Sequence, residues 1–452
     1  MAKTGMGHAS IGSLVGLTMT LASAVGAEQL ACETVERYEL QNGIDVVLQA
    51  DHGLPLVAVV SSVHAGARND PPGYAGLAHY VEHLLFREGG PFASAFTLYD
   101  GSGATVNATT APDATNYFAL LPSEQLERAL WIEARRLGLG LNAVESATAD
   151  IEREVVLREL SQRGGSKPFL AAQQALNEAT YPAGHPYRSL RSTEASIEAQ
   201  SLATARWFFA EHYRLDRVRL IVAGDFDPAA TRELIERHFG GLADPPRPAP
   251  GNAAADPSSA DECRWAKQPI VPSKKRVALF TRQRNEGLAI KWPIPPGLDP
   301  DALRIAMGVL TGKIAERARD LDVSHRVYSQ VESLELAKFY TLYIDVMPGQ
   351  DFERAEPLVW EALAELNSTV FDERDRKGAR RTSELVERLT RPSLLERALK
   401  LTARDCFATE CASASGELKP EHVAVIAKDK ALVFELRYGQ NAPSEGSVEV
   451  SP

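Results

Sequence analysis

Two histidines and a glutamate stand within five residues at His79-Tyr80-Val81-Glu82-His83. The run around them is otherwise helix-like, and histidines four apart on a helix project from one face, close enough to share one metal ion. With both imidazoles on zinc, Glu82 lies beside the metal's open position and can take a proton from bound water. These residue types therefore point to metal-dependent hydrolysis. The order H-x-x-E-H is the inverse of the commoner H-E-x-x-H and is the inverzincin pattern. The alternative for so short a stretch is a solvated helix face or a pair of hydrogen-bonded core histidines.

Catalytic zinc usually takes three protein ligands and leaves one position to water, so a further ligand must come from another element. Residues 151–160 have helical periodicity and no breaker. On that helix Glu152, Val155 and Glu159 share one stripe, which can face a site, with Glu159 as the ligand and Glu152 just behind it. Glu154 and Arg158 fall on the opposite side and read as a solvated face.

These residues resemble a known family. Gly76-Leu77-Ala78-His79, then Glu82, His83 and Phe86, followed by the helix ending in Glu159, look like the pitrilysin, insulysin and mitochondrial-processing-peptidase zinc peptidases (M16). In that family the third ligand is a Glu some seventy-odd residues past the second His, preceded two turns earlier by another carboxylate. Glu159 and Glu152 match those positions. The likeness extends upstream to Leu40-Gln41-Asn42-Gly43-Ile44, where Asn-Gly is independently a tight-turn signal. It continues at His64-Ala65-Gly66-Ala67-Arg68, His185-Pro186-Tyr187 and residues 220–225. The segment Gly103-Ala104-Thr105-Val106-Asn107-Ala108-Thr109 resembles the family's edge strand, which implies that Asn107, Ala108 and Thr109 hold substrate backbone.

Length and composition agree with more than one core. The chain has 452 residues, 44% of them hydrophobic, too long for one ordinary domain. Residues 244–265 are rich in Pro, Ala and Ser and break all periodicity, which reads as a linker. The expected organisation is a signal peptide at 1–27, a zinc-peptidase domain at 28–243, the linker, a second domain at 266–441 and a flexible tail at 442–452. Each half opens with strand-like segments and continues into long amphipathic helices, so the expected class is α+β. The resemblance implies two similar α/β domains, each a mainly antiparallel sheet packed by helices, forming half of a clamshell. A second chain, identical or related, would then close the chamber.

The second half adds Arg319 and Tyr328. By resemblance they match an Arg and Tyr motif that grips substrate or stabilises the tetrahedral intermediate, with Arg317 and Arg326 as alternative counterparts. The other reading is a basic helix end followed by a strand tyrosine.

Residues 11–24 are apolar and small, and Val25-Gly26-Ala27 fits a small-residue cleavage rule, which implies export, with the periplasm as the expected destination. A buried helix or an uncleaved anchor is the alternative. Export would permit disulfides, with Cys406 pairing Cys411 and Cys32 pairing Cys263 as the candidate set. A net charge of −11, with no basic face or aromatic stacking motif, excludes nucleic acid as the expected partner. Two function classes stand: an active zinc endopeptidase, and a binding or assembly subunit of a two-chain peptidase. Non-catalytic members of the family lose ligands, whereas this chain keeps His79, Glu82, His83 and Glu159.

Overall fold

The computed structural model describes residues 35–87, 94–163, 167–246, 262–268, 270–272, 276–281, 286–295, 300–346, 352–368, 377, 381, 392–403, 431–438 and 448–451. The expected signal segment, most of the expected linker, and Cys32, Cys406 and Cys411 lie outside the described residues. Cys263 is disulfide-bonded.

The first domain is a six-stranded sheet built from β1 (Glu36–Glu39), β2 (Asp45–Ala50), β3 (Leu56–Val63), β4 (Thr105–Thr110), β5 (Thr115–Pro122) and β6 (Val218–Gly224). Its order is β1-β2-β6-β3-β5-β4. Only β2 and β6 run parallel; the other neighbours are antiparallel. The Asn-Gly step makes the β1–β2 turn, with Gly43 at φ +92°, where a side chain would be strained.

Strands β3 and β6 are apolar runs because the sheet is covered on both faces. One face, through Val46, Leu48, Val57, Val59, Leu220 and Val222, packs on helices. Prominent among these are α1 (Leu77–Phe86), α2 (Leu126–Leu139), α5 (Leu202–His212) and α6 (Pro228–Phe239). Between α2 and α5 the chain also forms α3 (Ser146–Arg163), which packs on α1, and α4 (Lys167–Thr180).

The second domain repeats the plan. Its strands are β7 (Arg276–Thr281), β8 (Glu286–Pro293), β9 (Ser324–Ser333), β10 (Lys338–Val346), β11 (Leu432–Tyr438) and β12 (Val448–Ser451), ordered β12-β7-β11-β8-β10-β9. Again a single pair, β7 and β11, is parallel. The last five strands in each order correspond one to one, so β9 holds the edge position that β4 holds in the first sheet. The opposite edge is filled from different ends of the chain: β1 precedes β2, whereas β12 follows β11. Part of the segment expected to be a tail therefore pairs with β7 as a strand. Helices α7 (Pro300–Asp320) and α8 (Ala355–Ser368) cover this sheet through Leu310, Ile314, Leu358 and Val359 against Ile290 and Trp292.

The two halves exchange cover. The other face of the first sheet, Val47, Ala58, Val60, Phe118, Ile221 and Ala223, packs against Ala398 of α9 (Leu394–Lys400), which comes late in the chain. In return α4 places Ala175, Leu176 and Ala179 against Val277 and Leu432 of the second sheet. Arg219, 5% exposed, donates to the carbonyls of Leu401 (3.2 Å) and Ala403 (2.8 Å) beyond α9 and to Asp45 (2.7 Å). A second junction forms where the β9–β10 turn enters the first domain: Arg68 pairs with both Asp113 and Glu335, at 2.9 and 2.7 Å. Tyr187 and Asp113 accept the backbone N–H groups of Leu336 and Glu335 there.

Removing Arg219 leaves buried carbonyls and Asp45 short of donors. Arg219→Ala is expected to destabilise the fold by about 2 kcal/mol, read as a lower urea midpoint. Arg37→Ala, which removes the largely exposed partner of the same Asp45, should cost no more than about 1 kcal/mol.

Candidate metal centre

Helix α1 is positioned from both ends. At its start Asp70 reaches forward from the preceding loop and accepts the backbone N–H groups of Gly76 (2.6 Å) and Ala78 (2.8 Å). These are donors that a helix N-terminus leaves without intrahelical partners. Burial pushes the Asp70 carboxyl up, to about 7, while the N–H groups of Ala78, Gly76 and Leu77 act in the lowering sense. Gly76 sits at φ +94°, and a Cβ there would lie 2.7 Å from Ser192 Oγ, so the entry to α1 requires glycine. At the other end the buried Arg136 donates to the Leu85 carbonyl (3.4 Å) and pairs with the buried Glu133 (3.1 Å). Its guanidinium also covers the rings of Phe86 and Tyr117 at 4.6 and 4.7 Å. Midway, Tyr80 donates to the Ala149 carbonyl (2.6 Å), which fixes α1 against α3.

So held, α1 and α3 bring three donors together. His79, His83 and Glu159 each offer one ligand atom, all within 4.8 Å of one another. His79 Nε2 lies 3.7 Å from Glu159 Oε2 and His83 Nε2 lies 3.5 Å from Glu159 Oε1. A tetrahedral ion with bonds of about 2.0–2.2 Å sets its ligand atoms roughly 3.3–3.6 Å apart. The two His–Glu separations come close to that spacing, and the two imidazoles meet edge to face at 4.7 Å. Two imidazoles and a carboxylate are also a zinc-type donor set that leaves a fourth position to water.

Glu152 lies one layer behind. Its side chain is 4% exposed, and its Oε2 is 3.2 Å from His83 Nδ1 while its Oε1 meets Arg87 Nε at 3.0 Å. A carboxylate only accepts, so this contact assigns the ring proton of a neutral His83 to Nδ1 and directs the Nε2 lone pair at the three-donor cluster. Glu82, on the same helix, is buried, and its Oε2 accepts from Thr110 Oγ1.

Asn107, Ala108 and Thr109 lie on β4, the edge of the first sheet. Asn107 is exposed, and its Oδ1 accepts from the Ala108 amide at 2.9 Å. In the second domain Arg319 is exposed in the last turn of α7, and Tyr328 is on the edge strand β9. The cation over the Tyr328 ring is Arg326, at 4.7 Å, and the ring stacks on Tyr343 at 4.9 Å. Arg317 pairs with Glu365. Burial and the nearby Asp345 raise the Tyr328 phenol above its ordinary value, so it is a proton donor at neutral pH. Asp70, Arg87, Thr110 and Arg136 carry no short-range sequence signal that would have singled them out.

A two-domain α/β fold of duplicated mixed sheets, with an H-x-x-E-H helix facing a glutamate helix, is a metallopeptidase-type arrangement. Residues 45–194 match the family described as insulinase (peptidase family M16), and residues 201–383 match the M16 inactive domain. The chain belongs to the M16 family. It is 26% identical over 344 residues to an uncharacterized zinc protease of Mycobacterium leprae, covering 73% of this chain and 72% of that one. A protease from Helicobacter pylori superposes with a TM-score of 0.70 at 18% identity, over 89% of this chain and 99% of that one. The periplasmic protease PqqL of Escherichia coli gives 0.70 at 16% identity, over 90% of this chain and 48% of that one. Among the described residues no helix is long and apolar enough to cross a membrane.

The two glutamates of α3 should separate by role. Glu159→Gln is expected to strip most of the zinc from the purified protein. Glu152→Gln should retain more of it and lose roughly 10–100-fold in affinity or activity. Metal analysis beside a peptide assay distinguishes them.

Proposed function

We propose that the chain is a zinc-dependent endopeptidase in which His79, His83 and Glu159 hold one zinc ion and Glu82 is the general base. The observation that carries this reading is the convergence of the three donor atoms with Glu82 placed on the same helix as two of them. Zinc, when bound, polarises the scissile carbonyl and lowers the pKa of water. Glu82 accepts the proton of the attacking water and afterwards delivers it to the leaving amine. Glu152 fixes His83 through Nδ1 and is screened in turn by Arg87. The edge of β4 pairs with an extended peptide by strand addition, in which an incoming carbonyl competes with Asn107 Oδ1 for the Ala108 amide. Tyr328 and Arg319, or Arg326 in its place, act from β9 and α7 on substrate or on the developing oxyanion.

The intact donor set favours this reading over a purely binding subunit. We further propose that two such chains, or this chain and a related one, enclose the substrate, and that the protein is exported, as the apolar segment before Ala27 supports. The peptidase reading is tested by Glu82→Gln, which should keep zinc and abolish hydrolysis of a quenched peptide, because the amide cannot take the water's proton. An active, zinc-loaded Glu82→Gln chain would refute the mechanism. Tyr328→Phe should lower turnover with zinc unchanged. If a homodimer shares its sites, exchanging Glu82→Gln chains with Tyr328→Phe chains should recover part of the activity; no recovery despite proven subunit exchange would place the complete site in one chain or with a different partner.

A further inference from the structure

Thr110 is the last residue of β4, and its Oγ1 donates to Glu82 Oε2 at 2.5 Å. Side chains alternate along a strand, so Val106, Ala108 and Thr110 share one face of β4 while Asn107 and Thr109 share the other. Ala108 is buried and Asn107 is exposed, which puts Thr110 on the inward side, towards α1. The backbone at Thr110 is well fixed. It pairs with Thr115 in the β5 register, and the next residue closes the turn through Ala111 N–H to the Ala114 carbonyl (2.8 Å). The hydroxyl is thus presented to Glu82 from a rigid strand end, whereas the glutamate itself reaches out on several rotatable bonds.

We infer that Thr110 is a positioning residue for Glu82, and that through it the strand receiving the peptide also sets the orientation of the group that accepts the water's proton. This rests on the peptidase reading above. A hydroxyl donating to a carboxylate is a strong, directional contact in a buried setting, and it fixes the plane of the carboxylate. Threonine supplies that donor without charge, so it does not compete with the histidines for metal. Because Thr110 belongs to the same β4 backbone as Ala108, a peptide paired along β4 and the base on α1 are registered to one rigid strand. Each is then aligned to the other without a separate closing step.

The test compares Thr110→Val and Thr110→Ser in the full chain, with zinc content, kcat and KM measured on one quenched peptide. Valine keeps the shape and removes the donor, so kcat should fall roughly 10–100-fold, with KM within about 3-fold and zinc unchanged. Serine restores the hydroxyl and should recover most of kcat. Wild-type kcat in Thr110→Val overturns the inference, as does a serine variant no better than valine. Should the valine variant not fold, Thr110→Ala against Thr110→Ser makes the same comparison. Failure of the peptidase reading looks different: either the zinc-loaded wild-type chain does not cleave peptide, or Glu82→Gln retains activity.

Discussion

The centre depends on one short helix being immobile. Helix α1 carries His79, Glu82 and His83, and three donor atoms gathered within 4.8 Å of one another leave little room for sliding or rotation. A half-buried acid at the start and a buried arginine at the end hold it, each bonded to backbone groups that the helix cannot satisfy itself. The arrangement suits the helix dipole, with carboxyl oxygens accepting at the N-terminus and positive charge at the C-terminus. Burying such groups is costly unless they are fully bonded. Here each has its partners: Asp70 the turn amides, Arg136 the Glu133 carboxylate and two ring faces.

Around that helix the duplicated architecture divides the work. Both sheets have the same strand order over five positions, yet only the first carries the H-x-x-E-H helix. The edge strand that lies by α1 in one domain corresponds to the edge strand bearing Tyr328 in the other. Equivalent positions of one fold plan thus hold different chemistry: a backbone edge with a polar rim on β4, and an aromatic and cationic surface on β9.

What the sequence disclosed depended on range. His79, Glu82 and His83 are legible because helix geometry alone brings i and i+4 together. Glu152 and Glu159 are legible as a stripe, and the Asn-Gly turn and the apolar runs of β3 and β6 through local rules. Thr110 was not: it stands one residue beyond Thr109, and its contact with Glu82 arises only when β4 docks beside α1. Asp70 and Arg136 likewise look like a loop acid and one more surface helix charge until tertiary structure buries them. Arg326, held open beside Arg319 and Arg317, is the arginine that meets the Tyr328 ring. The strand pairing of 448–451 and the docking of α9 on the first sheet are contacts between distant segments, to which periodicity is blind.

That docking has a consequence for how the chain reaches its native state. Asp51 and Arg397 are ion-paired across 346 residues of sequence, and the face of Val47, Val60 and Ile221 is covered, among the described residues, chiefly by the α9 segment. During synthesis the first half emerges with its helical face able to form and its opposite sheet face bare. Completion must wait for residues near 400, so the topology has high contact order and folds late. A polypeptide that cannot finish its first core before its second half is made stays open for longer, the state in which a chain can still be threaded through a narrow pore.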